Sequence, residues 1–131
     1  MTPEDKALWV NALRSGEYKQ GQYRLTTVTD EGEERDCCLG VACKVFGAKR
    51  EVIEVENDIT GGVSKSVRYE GMGSYLPMSL AVRLNTEPDP YIEIGEPREG
   101  SFASRTAALS DFNDRYDLTF SQIADLIEYF L

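Results

Sequence analysis

The chain contains no histidine, which removes the side chain most often used to move protons near neutral pH and to ligate transition metals. A Ser-His-Asp set and a Cys-His nucleophile pair are thereby excluded. Cysteine is also scarce: Cys37, Cys38 and Cys43 are the full complement. An odd number crowded into one short segment does not make a disulfide framework, so reduced thiols in a cytoplasmic compartment are expected. Long apolar runs are missing, no window approaches the length of a membrane span, and Glu4, Asp5 and Lys6 stand where a secretory signal needs an unbroken apolar stretch. A cytoplasmic protein with no membrane partner is the expectation. Positive charge is in deficit, with 14 basic against 23 acidic side chains and a formal net charge of −9. That balance repels phosphate backbones and disfavours direct nucleic-acid binding. It suits a partner with a basic groove, where carboxylates would occupy phosphate positions, although solubility alone also accounts for it.

What is present describes an ordinary globular chain. A length of 131 residues predicts one domain spanning 1–131, able to bury roughly two-thirds of its unfolded surface. Thr2, Pro3, Glu4 and Asp5 read as a helix start: a capping hydroxyl, a proline at the first helical position and carboxylates at the positive end of the dipole. Leu8, Trp9, Ala12 and Leu13 then share a side, and Gly16 stops the helix. Tyr23 to Thr29 reads as a strand, and Asp36 as the cap of a short helix carrying Cys38, Leu39, Ala42, Val45 and Phe46 on its core side. Glu51 to Glu56 and Val63 to Tyr69 form a hairpin across Asp58, Ile59, Thr60, Gly61 and Gly62.

Leu76 to Leu84 predicts another helix, with Pro77 in its first turn. The proline-rich stretch from Thr86 to Gly100 predicts a loop containing Tyr91 to Ile94 as an edge strand. A helix opening at Ser104 or Thr106 runs through Leu109 and Phe112, and a turn follows at Asn113 to Asp117. The last helix has the clearest signal: Thr119 and Gln122 match a capping box, Leu118 and Ile123 a hydrophobic staple, and Ile123, Ala124, Ile127 and Phe130 continue the stripe. Strands arriving as a hairpin and isolated pieces predict an α+β fold, a small antiparallel sheet with four or five short helices.

Four groups of residues are candidates for chemistry. Cys37 and Cys38 in a helix's first turn would have their thiol pKa lowered by the dipole, yet Asp36 beside them opposes this, and free cysteines are most often small buried hydrophobes. Cys-x4-Cys without histidine supplies too few soft ligands for zinc within one chain, so no metal or cofactor is expected. The stretch Gly16 to Gln22, with Tyr18, Lys19 and Gln20 and with Arg24 and Arg68 elsewhere, offers groups that could hold a phosphate or a base, but it has no Walker spacing and no GxGxxG, and a plain helix-to-strand connection is the better reading. The carboxylates Asp111, Asp114 and Asp117, and the set Glu54, Glu56 and Asp58, read as solvated faces.

The sequence resembles a family of small proteins encoded by tailed bacteriophages. The resemblance rests on Trp9, Leu13 and Gly16; Tyr18, Gln20 and Gly21; the block Cys37-Cys38-Leu39-Gly40-Val41 with Cys43; Leu76-Pro77; and Leu109, Asn113-Asp114, Phe120, Ile123-Ala124-Asp125 and Ile127. The segments 50–69 and 86–100 depart from it by being longer. It implies a phage origin and work in the cytoplasm of an infected bacterial cell. The leading expectation is then a non-enzymatic protein that binds a host or defence protein through an acidic face of Glu54, Glu56, Asp58, Glu87, Asp89, Glu93, Glu96 and Glu99. A sponge for a small signalling nucleotide, built on Tyr18, Lys19, Gln20, Arg24 and Arg68 and working as a homo-oligomer, is the alternative. A cysteine-dependent enzyme ranks third.

Overall fold

The structure is a computed structural model and describes residues 1–56, 62–93 and 106–131. In chain order it contains α1 (Pro3–Arg14), β1 (Thr26–Val28), β2 (Glu34–Asp36), α2 (Cys38–Val45), β3 (Arg50–Glu56), β4 (Val63–Tyr69), α3 (Met78–Arg83), β5 (Tyr91–Glu93), β6 (Thr106–Ala108), α4 (Leu109–Asp114) and α5 (Phe120–Phe130). The fold is α+β, as the pattern of strands and helices predicts. A four-stranded antiparallel sheet runs in the order β2-β1-β4-β3, and β5 and β6 make a second, two-stranded antiparallel sheet.

Helix α2 is the centre of the core. Its residues Cys38, Leu39, Gly40, Val41, Ala42 and Cys43 are all buried, so it is apolar around its whole circumference, the signature of a helix surrounded by protein. It is flanked by α1, α4 and β2. Gly40 explains how closely it is held: a Cβ there would overlap the Leu25 carbonyl oxygen and lie 2.7 Å from the carbonyl carbon. The Trp9 indole N–H donates to the Cys38 carbonyl at 3.1 Å, and the Cys38 thiol donates to the Leu109 carbonyl at 3.7 Å, so α1 and α4 are both bonded to the start of α2.

Helices α1 and α5 pack against each other, each built as its sequence signals require. The Thr2 hydroxyl accepts from the Asp5 N–H at 3.1 Å. Thr119 and Gln122 bond reciprocally at 2.9 and 3.2 Å, completing the capping box. Ile123, Ala124 and Ile127 are buried as expected, whereas Phe130 at the helix end is exposed.

Several boundaries differ from the sequence-based expectation. Asp36 does not cap α2; it ends β2 and is 1% exposed, and Cys37 occupies the N-cap position with no side-chain bond. The strand expected over Tyr23 to Thr29 is shortened to β1, because Tyr23 adopts a positive φ of 69°, incompatible with extended pairing. Thr106 belongs to a strand, and the helix expected there starts at Leu109. Strand β6 escapes prediction because Thr-Ala-Ala is too short to show alternation. The expected hairpin turn at Asp58, Ile59, Thr60 and Gly61, and the expectations for Ile94, Glu96, Glu99 and Ser104, lie outside the described residues.

Candidate functional site

The sites expected from the sequence divide into residues consumed by the fold and residues left available. The connection 18–23 is the clearest case of consumption. The Asp36 N–H donates to the Lys19 carbonyl at 2.8 Å and the Gly21 N–H to the Asp36 carbonyl at 2.7 Å, so this connection runs along the outer edge of β2. On its other side the Gln20 amide donates to Asn113 Oδ1 at 2.9 Å and to the Leu118 carbonyl at 2.8 Å. Asn113, 0% exposed, donates in turn to the Gly21 carbonyl and to Asp114 Oδ1, both at 2.8 Å. Asp114 also accepts from the Tyr23 N–H at 3.0 Å, and the Gln22 amide donates to Asp117 at 2.9 Å.

These bonds line a cleft of about 440 Å³ whose walls include Gln20, Gln22, Arg35, Asn113 and Asp117. Apart from Arg35, which stands 3.5 Å from Glu33, those polar side chains are already bonded within the protein. Gln20, expected as a ligand group, is therefore a fastening between the connection and α4. Lys19 pairs with Glu33 at 2.7 Å, and its hydrogen bond holds the Glu33 carboxyl below the usual range. Tyr18 is half-buried with the Lys44 ammonium 5.8 Å from its ring centre. The three expected ligand groups thus point to different partners.

A second polar network, which the sequence does not announce, crosses the inner side of the sheet. Tyr69 OH donates to Thr26 Oγ1 at 2.9 Å, and Thr26 Oγ1 donates to Asp36 Oδ1 at 2.5 Å. Lys44 spans Asp36 at 2.9 Å and Glu34 at 3.0 Å, and Arg50 closes on Glu34 at 2.7 Å. Burial lowers the Lys44 pKa, but its bonds to Asp36 and Glu34 outweigh this and hold it above the ordinary value. The Arg50 hydrogen bond keeps Glu34 below the ordinary carboxyl range, while burial pushes the Tyr69 phenol up. Thr26, Asp36, Lys44 and Tyr69 are each hydrogen-bonded, while the buried Glu34 Oε1 has no hydrogen bond and meets only the Lys44 charge at 3.0 Å; together they form a structural lock between β1, β2, β4 and α2.

Burial favours the protonated form of all three thiols. All three are buried, and burial pushes the Cys37 thiol up to about 12, with Cys38 and Cys43 raised as well. The dipole of α2 does not overcome desolvation of a buried thiolate. The carboxylates near α4 are occupied as well: Asp111 accepts from the Ala108 N–H at 3.3 Å and pairs with Arg115 at 3.6 Å. Among the described residues no group of three or more cysteine, aspartate or glutamate side chains is placed to hold a metal ion, and no helix is long and apolar enough to cross a membrane.

Two sets remain available. Arg24 and Arg68, distant in sequence, flank Gly73: the Arg24 Nη1 and the Arg68 Nε each lie 3.9 Å from the position a Gly73 Cβ would take. The two guanidinium groups are therefore no farther apart than twice that distance, and neither has an acidic partner among the described residues.

The other set is the β3–β4 hairpin. β3 is exposed along almost its whole length, with only Ile53 half-buried, and β4 is exposed from Val63 to Lys65 before it enters the core at Val67 and Tyr69. Val52, Val55 and Val63 are 55%, 53% and 51% exposed. Of the expected acidic face, Glu54 and Glu56 lie on β3, with Glu54 3.5 Å from Lys65. Glu93 lies on β5 of the second sheet, and Glu87 in the connection leading to it. Asp89 departs from that face: it accepts from the Ser110 N–H and hydroxyl at 3.1 and 2.5 Å, and burial raises its pKa. It holds the start of α4, not a surface partner.

No curated protein and no solved structure matches the chain. A family described as a domain of unknown function, DUF8296, matches residues 1–131, and with its whole length covered the chain belongs to that family.

Proposed function

We propose that the protein is a non-enzymatic binding protein of phage provenance that engages a host or defence protein in the bacterial cytoplasm through the acidic strand of its β3–β4 hairpin. The observation carrying this reading is that β3 places Glu51, Glu54 and Glu56 beside the exposed Val52 and Val55, outside the packed core. Exposed apolar side chains rimmed by charge mark interaction surfaces more often than they mark unused ones. The buried, high-pKa thiols and the missing histidine argue against turnover. Carboxylates presented along an extended strand fit a basic groove, the arrangement that a nucleic-acid mimic requires. Quantitative affinity capture from host cells tests this. Glu54→Gln/Glu56→Gln, with an unchanged melting temperature, is expected to deplete the partners held by the wild type; an unchanged set of partners would overturn the reading.

A second reading is favoured by Arg24 and Arg68. Two guanidinium groups that have no acidic partner among the described residues, set around a residue without a side chain, suit a phosphate, in line with a sponge for a small signalling nucleotide, completed by a second copy in a homo-oligomer. Cyclic dinucleotides and ADP-ribose are expected to raise the melting temperature by mass action if either is the ligand. Absence of a shift, or a shift retained in Arg24→Gln/Arg68→Gln, removes this reading.

A further inference from the structure

Among the described residues, one side of the β3 backbone has no partner strand. The Glu70 N–H donates to the Lys49 carbonyl at 2.8 Å, and the register pairs Arg50 with Tyr69 and Glu56 with Val63. In an antiparallel ladder, hydrogen-bonded and non-bonded pairs alternate. Glu51, Ile53 and Val55 therefore direct their N–H and C=O groups to β4, and Val52 and Glu54 direct theirs to the open edge. Among the described residues nothing pairs with that edge. The opposite edge of the same sheet is only 3 residues long and is covered at Asp36 by the connection through Lys19 and Gly21, and the strands of the second sheet are 3 residues long against 7 for β3. A long open edge carrying exposed valines is the feature that soluble proteins usually blunt.

The charge pattern says what fits. In β4, the neighbour β3 already has, Lys65 lies opposite Glu54 and 3.5 Å from it, and Arg68 takes the register position opposite Glu51 without an ion pair. Cross-strand pairs of opposite charge stabilise a ladder and like charges oppose it. In the antiparallel register that pairs the whole of β3 with a second copy, Glu51 and Glu54 would face Val55 and Val52, and Glu56 would face only Arg50, already committed to Glu34 at 2.7 Å, so a second copy brings the glutamates no free cation. A basic strand supplies one. We infer that the outer edge of β3 is a strand-addition site for an extended, basic segment of a partner protein. This deepens, and rests on, the reading of the hairpin as a binding surface. Main-chain bonds to Val52 and Glu54 supply the attachment, and the glutamates select a cationic sequence.

The test uses the full chain and a fluorescent synthetic peptide with the sequence of β4, Val63 to Tyr69, which carries one lysine and one arginine. Anisotropy titration is expected to show saturable binding, weakened by about tenfold or more when alternate peptide nitrogens are methylated, because methylation removes the ladder donors and leaves the charge. Val52→Pro, which deletes an outward N–H and no bond to β4, is expected to abolish binding while the melting temperature stays near that of the wild type. Glu51→Lys/Glu56→Lys is expected to weaken it. The inference is overturned if the peptide does not bind, if the methylated peptide binds equally well, or if Val52→Pro leaves binding intact. Should Val52→Pro fail to fold, the methylated peptide still decides. A wild-type dimer in sedimentation that Val52→Pro dissolves would assign the edge to a second copy and overturn the basic partner. In the partner-capture assay, loss on Glu54→Gln/Glu56→Gln but not on Val52→Pro would sink strand addition and leave the proposed function standing. Loss on neither would sink the proposed function.

Discussion

Helix α2 and the β3–β4 hairpin lie within one short stretch of chain yet use their residues in opposite ways. Around α2 the polar groups that enter the core are largely bonded within the protein: the Trp9 indole, the Cys38 thiol, Asn113, Asp36 and Thr26 each have a partner. Along β3 apolar side chains stand in solvent and the outer main-chain groups are unmatched among the described residues. Gln20, Gly21, the Cys-Cys-Leu-Gly-Val block and Asn113-Asp114, singled out in the sequence as motif residues, are brought together to fasten the connection 18–23, α2 and α4. These motifs describe how the molecule is held together, while the exposed valines and the open main-chain groups lie on β3.

Substitutions should separate the two regions sharply. The largest effect is expected for Gly40→Ala, whose added methyl would force α2 off the Leu25 carbonyl; a loss of about 3 kcal/mol or more is expected, read by urea denaturation or as insoluble protein. A melting temperature near that of the wild type would show that α2 has room the packing does not reveal. Next is Asn113→Ala, which leaves one of the two Gln20 amide hydrogens and the Gly21 carbonyl without their partner; about 2 to 3 kcal/mol should be lost in the same assay.

A smaller effect comes from the network between the regions. Arg50 holds the Glu34 carboxyl below its ordinary value of 4.5. A depressed folded-state pKa contributes stability that is present above the unfolded value and lost as pH falls through the folded one. Denaturation midpoints should therefore decline on acidification below about pH 4.5, and Arg50→Gln should flatten that decline. An unchanged pH profile in the variant would detach the hairpin base from Glu34. The smallest effect is expected for Val55→Thr on the exposed hairpin, within about 0.5 kcal/mol of the wild type. A larger loss would mean that the hairpin is part of the core.

Legibility in the sequence followed the same division. Helices α1 and α5 could be read because their caps are local: Thr2 reaches Asp5 and Thr119 reaches Gln122 within one turn. The hairpin could be read because Val52, Ile53 and Val55 in one seven-residue strand and Val63, Val67 and Tyr69 in the other flank a segment rich in turn residues. Strand β2 could not, since Glu-Arg-Asp has neither alternation nor β propensity and pairs only because β1 lies beside it. Asp36 was misread as a cap for the same reason: an aspartate before an apolar run signals an N-cap locally, but Thr26 and Lys44 claim its carboxylate. Of the expected ligand groups, Arg24 and Arg68 meet at Gly73, while Tyr18, Lys19 and Gln20 go to separate partners.

By itself the sequence determined composition-level chemistry: a histidine-free, acidic, α+β chain whose helix starts and hairpin signals are written within a few residues of where they act. Only the tertiary structure decided which polar residues remain available, because that depends on bonds between groups up to 98 positions apart, as in Gln20 to Leu118. Hydrogen bonding is short-ranged in space and indifferent to separation along the chain, so a side chain's freedom to bind another molecule is settled after folding has matched every closer partner.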